Sequence, residues 1–125
     1  MRYFLDSTFA IDYLRADSNA VGRLWQLIEA GDQPFISVVV VCEAATGSPA
    51  EAGGLASLIR GVEFVHPGPE VALVAGQFRA AARRRGFTLG VPDALIAAAA
   101  DALGATILTK NVRDFALTPV PVEAY

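Results

Sequence analysis

The amino-acid sequence predicts an α/β protein, with a central, mostly parallel twisted sheet of four to five strands and helices on both faces. Short apolar runs alternate with stretches of helical periodicity from one end of the chain to the other. In addition, four carboxylates, Asp6, Glu43, Asp93 and Asp114, each fall where a strand, or the helix after it, meets a loop. In open parallel sheets that is the edge where functional groups gather.

Arg2 to Leu5 reads as the first strand, followed by a helical pattern from about Phe9 to Leu14. Asp17, Ser18 and Asn19 offer a break and a cap for a second helix, whose Val21, Leu24, Trp25, Leu27 and Ile28 recur at three- and four-residue spacing up to Gly31, the position of a left-handed stop. Pro34 to Ile36 reads as a strand. Val38 to Val41 fits either a strand, because it is β-branched, or a helix capped by Ser37 and ending at Gly47. Ala50 to Arg60 reads as a helix, Val62 to Val65 as the third strand, and Pro69 to Arg85 as a long helix with Val71, Leu73, Val74 and Phe78 on one side, ended by Gly86. Pro92 suits the first position of a helix that runs to Leu103 and stops at Gly104. Thr106 to Leu108 is the fourth strand, and Val120 to Val122 a fifth at an edge, where proline is tolerated.

A chain of 125 residues, 54% hydrophobic, fits one domain spanning 1–125. Ten basic against thirteen acidic residues give a net charge of −3, which argues against a general polyanion binder and requires any phosphate partner to be held by a local device. The single cysteine, Cys42, cannot form an internal disulfide and is expected to be a small buried residue behind the valines, which suits a cytoplasmic protein. The first apolar stretch meets Asp6 too early for a secretory signal, and no apolar run approaches the roughly 18 residues of a membrane span.

Taken singly, each of the four acids has an ordinary structural reading. Asp93 can stabilise a helix start, Asp6 can turn the chain after a strand, Asn111 and Asp114 can form a capped turn, and Glu43 can face solvent. Together they are brought by the sheet to one edge, where mutual repulsion is costly without a cation. Hard oxygen ligands, with the lone His66 read as a loop residue, point to Mg²⁺ or Mn²⁺ rather than zinc. Asp101 lies eight residues beyond Asp93, roughly 12 Å along the helix, and reads as surface; Asp12 reads as structural or solvent-facing.

The stretches that carry these acids, Leu5-Asp6-Ser7-Thr8, Ser37 to Gly47 with Cys42-Glu43-Ala44, Pro92-Asp93-Ala94-Leu95-Ile96-Ala97-Ala98-Ala99-Ala100, and Thr109 to Phe115, resemble in order and spacing the PIN-domain family, and within it the small VapC-like ribonuclease toxins of prokaryotic toxin–antitoxin pairs. The resemblance covers essentially the whole chain. It implies a three-layer α/β/α sandwich and Mg²⁺- or Mn²⁺-dependent hydrolysis of RNA phosphodiester bonds by Asp6, Glu43, Asp93 and Asp114, with Thr8 and Asn111 in support. Thr8 stands where many members carry Asn or Ser, and its hydroxyl can still hold a water. The resemblance also implies an RNA substrate, a small antitoxin partner and a homodimer in the cytoplasm. Arg79, Arg83, Arg84, Arg85, Lys110 and Arg113 are the local basic groups for RNA phosphates, or else a solvated helix end.

Other classes fit less well. A phosphoacceptor receiver domain would use Lys110 after a late strand but needs paired early acids, and Ser7-Thr8 follow Asp6 instead. A haloacid-dehalogenase-like phosphatase would need an acid at Thr8. A non-enzymatic metal- or partner-binding module would use the acids only for a cation and the apolar helix carrying Leu24, Trp25, Leu27 and Ile28 for a partner.

Overall fold

The computed structural model describes residues 1–48 and 52–125. Strands β1 (Arg2–Leu5), β2 (Gln33–Ser37), β3 (Glu63–Val65), β4 (Thr106–Leu108) and β5 (Val122–Glu123) form one all-parallel sheet in the order β3-β2-β1-β4-β5. The helices are α1 (Ser7–Leu14), α2 (Ser18–Glu29), α3 (Val38–Gly47), α4 (Ala52–Gly61), α5 (Pro69–Arg84), α6 (Val91–Leu103) and the single turn α7 (Val112–Phe115). Residues 50 and 51 of the helix expected from Ala50 lie outside the described residues.

From β1 the chain steps outward through β2 to β3, then α5 and α6 carry it back across the sheet to β4. Right-handed crossovers place α1 to α4 on one face and α5 and α6 on the other. The packing agrees: α1 contacts α2, α3 and α4, while α5 and α6 lie along each other. The direction of winding therefore reverses between β1 and β4, and the carboxyl ends of these neighbours flank the switch point where open parallel sheets collect ligands. The central strands are buried on both faces, with Phe4, Leu5, Ile36, Ile107 and Leu108 fully inside. Helix α6 packs on β1, β4 and α5, and its alanines Ala97 to Ala100, pointing in all directions around the helix, are all buried, so that small side chains let its neighbours approach closely.

Several local expectations are corrected. The valine run takes the helical of its two readings and ends at Gly47 as that reading expects, but with Val40 and Ala44, four residues apart, buried and Val38 and Cys42 turned outward, Cys42 is exposed rather than buried. Ser37 holds the cap position of α3, but its hydroxyl makes no capping hydrogen bond. Leu73 is 70% exposed, and the buried side of α5 is set by Val71, Ala75 and Ala82. Helix α1 begins at Ser7, because Asp6 itself caps it, and α6 begins at Val91, which makes Pro92 its second residue.

Gly31, Gly86 and Gly104 end their helices with positive φ, as expected of left-handed stops. After α1 the same role falls to Ala16, with φ of +59° and a hydrogen bond from its N–H to the carbonyl of Tyr13. A Cβ in that conformation clashes with its own backbone, so Ala16→Gly is expected to raise the unfolding free energy by about 1 kcal/mol, measurable by urea denaturation.

Candidate active site

Asp6 leaves β1 and turns at once into α1, and its carboxylate is almost completely buried at 2% exposure. Its Oδ1 accepts the Phe9 N–H at 2.9 Å and the Thr8 hydroxyl at 2.8 Å. Its Oδ2 accepts the hydroxyl of Thr109, the residue immediately after β4. Burial still dominates these donors and raises the Asp6 carboxyl above its ordinary value, with the charge of Glu43 adding to the effect.

Glu43 projects from the second turn of α3 and accepts the Ser7 hydroxyl. Asp93 sits in the first turn of α6, where helix N–H groups favour a carboxylate. Asp114 lies on α7, and the Asn111 amide donates to it at 3.0 Å and more loosely to Asp93 at 3.4 Å. Asn111 is held in turn by its N–H, which donates to Thr109 Oγ1 at 2.7 Å. All four acids thus meet at the β1/β4 switch point. Asp93 registers the meeting: burial, followed by the charges of Asp114, Glu43 and Asp6, pushes its carboxyl up to about 6.

Ion pairs among the described residues engage Asp12, Asp17, Asp32 and Glu123, and none of the four clustered acids. A set of hard oxygen donors without a Lys or Arg partner is chemically suited to a small divalent cation. Among the described residues, no three acidic, histidine or cysteine side chains already stand in ligating geometry around one point.

The remaining candidates separate. Asp12 is structural, accepting Lys110 Nζ at 2.8 Å and the Tyr125 hydroxyl at 2.7 Å, and Asp101 is exposed. Lys110, which also reaches Asp17 at 3.8 Å and lies 5.3 Å from the Tyr125 ring centre, is therefore held as a clamp on the β4–α7 loop. Arg79 is partly occupied, its Nε donating to the Leu89 carbonyl at 3.0 Å, while Arg83, Arg84, Arg85 and Arg113 are exposed. Ser7 and Thr109 were not singled out from sequence. Their positions beside Asp6 and after a strand end were visible, but their partners are fixed only by tertiary pairing.

Two outcomes follow from this geometry. Thr109→Val keeps the shape but removes a donor from a buried carboxylate, and is expected to cost about 1–3 kcal/mol in chemical denaturation. The raised Asp93 carboxyl means that the folded chain holds this proton more tightly than the unfolded chain. Its stabilising contribution is complete below the ordinary value of 3.8 and is lost as pH rises through about 6. In cation-free buffer, Tm is therefore expected to fall across that window, and Asp93→Asn is expected to flatten the fall, as read by thermal melts at a series of pH values.

A family model described as PIN domain matches residues 3–120. Ribonuclease VapC19 of Mycobacterium tuberculosis is 33% identical over 118 residues, covering 92% of this chain and 93% of that relative. Among solved structures, VapBC2 from Rickettsia felis bound to a promoter DNA fragment superposes with a TM-score of 0.88 at 22% identity, covering 100% of this chain and 99% of the other. A toxin–antitoxin complex from Klebsiella pneumoniae gives 0.77 at 22% identity, covering 97% and 95%. At these identities the two structures speak to the fold, while the family model and the mycobacterial relative span nearly the whole chain. The chain belongs to the PIN-domain family.

Proposed function

We propose that this chain is a divalent-cation-dependent endoribonuclease acting as the toxin of a toxin–antitoxin pair, with Asp6, Glu43, Asp93 and Asp114 as its cation-holding and catalytic acids. The observation that carries this reading is the cluster of four carboxylates, free of Lys or Arg ion pairs among the described residues, at the switch point of the sheet. The mycobacterial relative named a ribonuclease supports the reaction class, and the solved toxin–antitoxin relatives support the biological setting.

When bound, Mg²⁺ or Mn²⁺ would offset phosphate charge and ease deprotonation of an attacking water. Asp6 is the fixed member, oriented by Thr8, Phe9 and Thr109. Asp93, whose carboxyl is pushed up to about 6 by burial and then by the charges of Asp114, Glu43 and Asp6, would be relieved by a nearby cation. Glu43, steered by Ser7, and Asp114, steered by Asn111, are positioned to complete the cation's surroundings or to take the proton of the attacking water. Thr8 sits at the same edge and can orient a water. The exposed arginines at the end of α5 and Arg113 on α7 are the groups for RNA phosphates.

An antitoxin or a second copy would find apolar surface on α2, where Leu24 and Leu27 are buried but Trp25 is 60% exposed and Ile28 lies beside it in the open. Among the described residues, no helix is long and apolar enough to cross a membrane.

Asp6→Asn and Asp93→Asn are each expected to abolish RNA cleavage while circular dichroism stays native. Wild-type rates in either variant would remove the assignment. EDTA should halt cleavage and Mg²⁺ or Mn²⁺ restore it. Independently of activity, millimolar Mg²⁺ should raise Tm in the wild-type chain and much less in Asp93→Asn, since a ligand bound only by the folded state stabilises it.

A further inference from the structure

Phe87 is a large, half-exposed aromatic side chain on the same cleft as Asp114, one of the four clustered acids. Helix α5 ends through Gly86, whose φ is +83°; the Gly86 N–H donates to the Arg83 carbonyl and the Phe87 N–H to the Ala82 carbonyl, both at 3.0 Å. This double bond pattern fixes the backbone of Phe87 firmly, and the residue at that position commonly packs back onto the helix. Here the ring stays 50% exposed instead.

Its surroundings are basic. Phe87 and Thr88 form the shared wall of two clefts. The larger, about 440 Å³, is also lined by Arg85, Arg113 and Asp114, so it reaches one member of the acidic cluster. The smaller is lined by Arg79 and Arg83. The guanidinium of Arg85 lies 5.7 Å from the Phe87 ring centre. In a chain of net charge −3, a half-exposed aromatic ring on a fixed backbone, in clefts lined by four arginines and one carboxylate, is a local reversal of sign around a π-face. A polyanion with exposed flat bases matches both features, whereas an apolar peptide helix would leave the arginines unanswered.

We propose that Phe87 is a stacking platform for an unpaired base of single-stranded RNA next to the cleaved bond, with Arg85 and Arg113 holding the adjoining phosphates. This inference rests on the ribonuclease reading and adds to it a positioning residue, with one base of the RNA splayed onto Phe87. Base–aromatic stacking tolerates any base, so Phe87 supplies affinity and register, and Thr88, on the same wall, offers the hydroxyl that can meet a base edge.

The test uses the full chain in the Asp93→Asn background, so that RNA stays intact, and a short single-stranded RNA carrying 2-aminopurine. Stacking on Phe87 is expected to quench the probe. Phe87→Leu should lose the quenching and weaken binding by roughly 5- to 100-fold, while Phe87→Tyr keeps both. The Mg²⁺-dependent rise in Tm, measured with Asp93 intact, should be the same with Leu or Phe at this position, which separates a lost platform from a damaged fold. Unchanged binding and quenching in Phe87→Leu would overturn the platform, and would do so equally if that variant lost only its hold on a co-expressed antitoxin, since the surface would then belong to a protein. The two readings fail separately. A wild-type chain that cleaves no RNA with Mg²⁺ sinks the ribonuclease reading, whereas normal cleavage with an indifferent Phe87→Leu sinks the platform alone.

Discussion

The burial of the Asp6 carboxylate is the constraint around which the rest of the structure is arranged. A charge taken out of water at the end of a central strand is tolerated only if donors surround it. Those donors come from three places: the Phe9 N–H of the helix that Asp6 caps, the Thr8 hydroxyl two residues on, and the Thr109 hydroxyl from the far part of the chain. The last requires β4 to lie beside β1 in the register that pairs Leu5 with Leu108, and the Asp6 N–H to reach the Leu108 carbonyl at 3.3 Å. One side chain thus ties the first strand, the first helix and the returning fourth strand together. Burial nevertheless outweighs the donors and leaves the carboxyl raised, so the site retains an unrelieved electrostatic cost.

Local chemistry made much of the fold legible in the sequence. Glycines at the helix ends, Asp17 as a cap and the strand–helix alternation each announce an element by its own residues. The reading left open and the one that was wrong share a cause, which is that burial belongs to three dimensions. For the segment Val38 to Val41, β-branching favours a strand, but the segment folds as a helix because that places Val40 and Ala44 inward and leaves Val38 and Cys42 to solvent. Leu73 follows Val71 in an apolar patch of sequence, yet on a helix it is turned away from the face that meets α6.

The site divides along the same line. The four acids were legible because parallel topology sends every strand's carboxyl end to one edge, so a sequence position implies a place. What orients them was not. Ser7 meets Glu43 across 36 residues and Thr109 meets Asp6 across 103, and neither pairing leaves a local signature. Lys110 shows the converse: it looks like a free cation beside the closing motif, but Asp12 and Asp17 on the α1–α2 side claim its ammonium, with the Tyr125 hydroxyl on the same Asp12. A charge near a site in sequence can serve as a strut in the fold.

The distribution of ion pairs gives the acid cluster its meaning. Among the described residues, two of the ten basic side chains, Arg23 and Lys110, and the amino terminus satisfy acids that are peripheral: Asp12, Asp17, Asp32 and Glu123. Had the four central carboxylates been structural, pairing them would have relieved the repulsion that adds to burial in pushing Asp93 up to about 6. Arginines do stand close by, since Arg113 is adjacent to Asp114 in sequence and Arg85 lines the same cleft. Among the described residues none of them forms an ion pair with the cluster. On the proposed reading this separation is functional, because the acids must remain available to a divalent cation while the arginines remain available to phosphates. Collapsing the two sets into salt bridges would stabilise the metal-free fold at the expense of both.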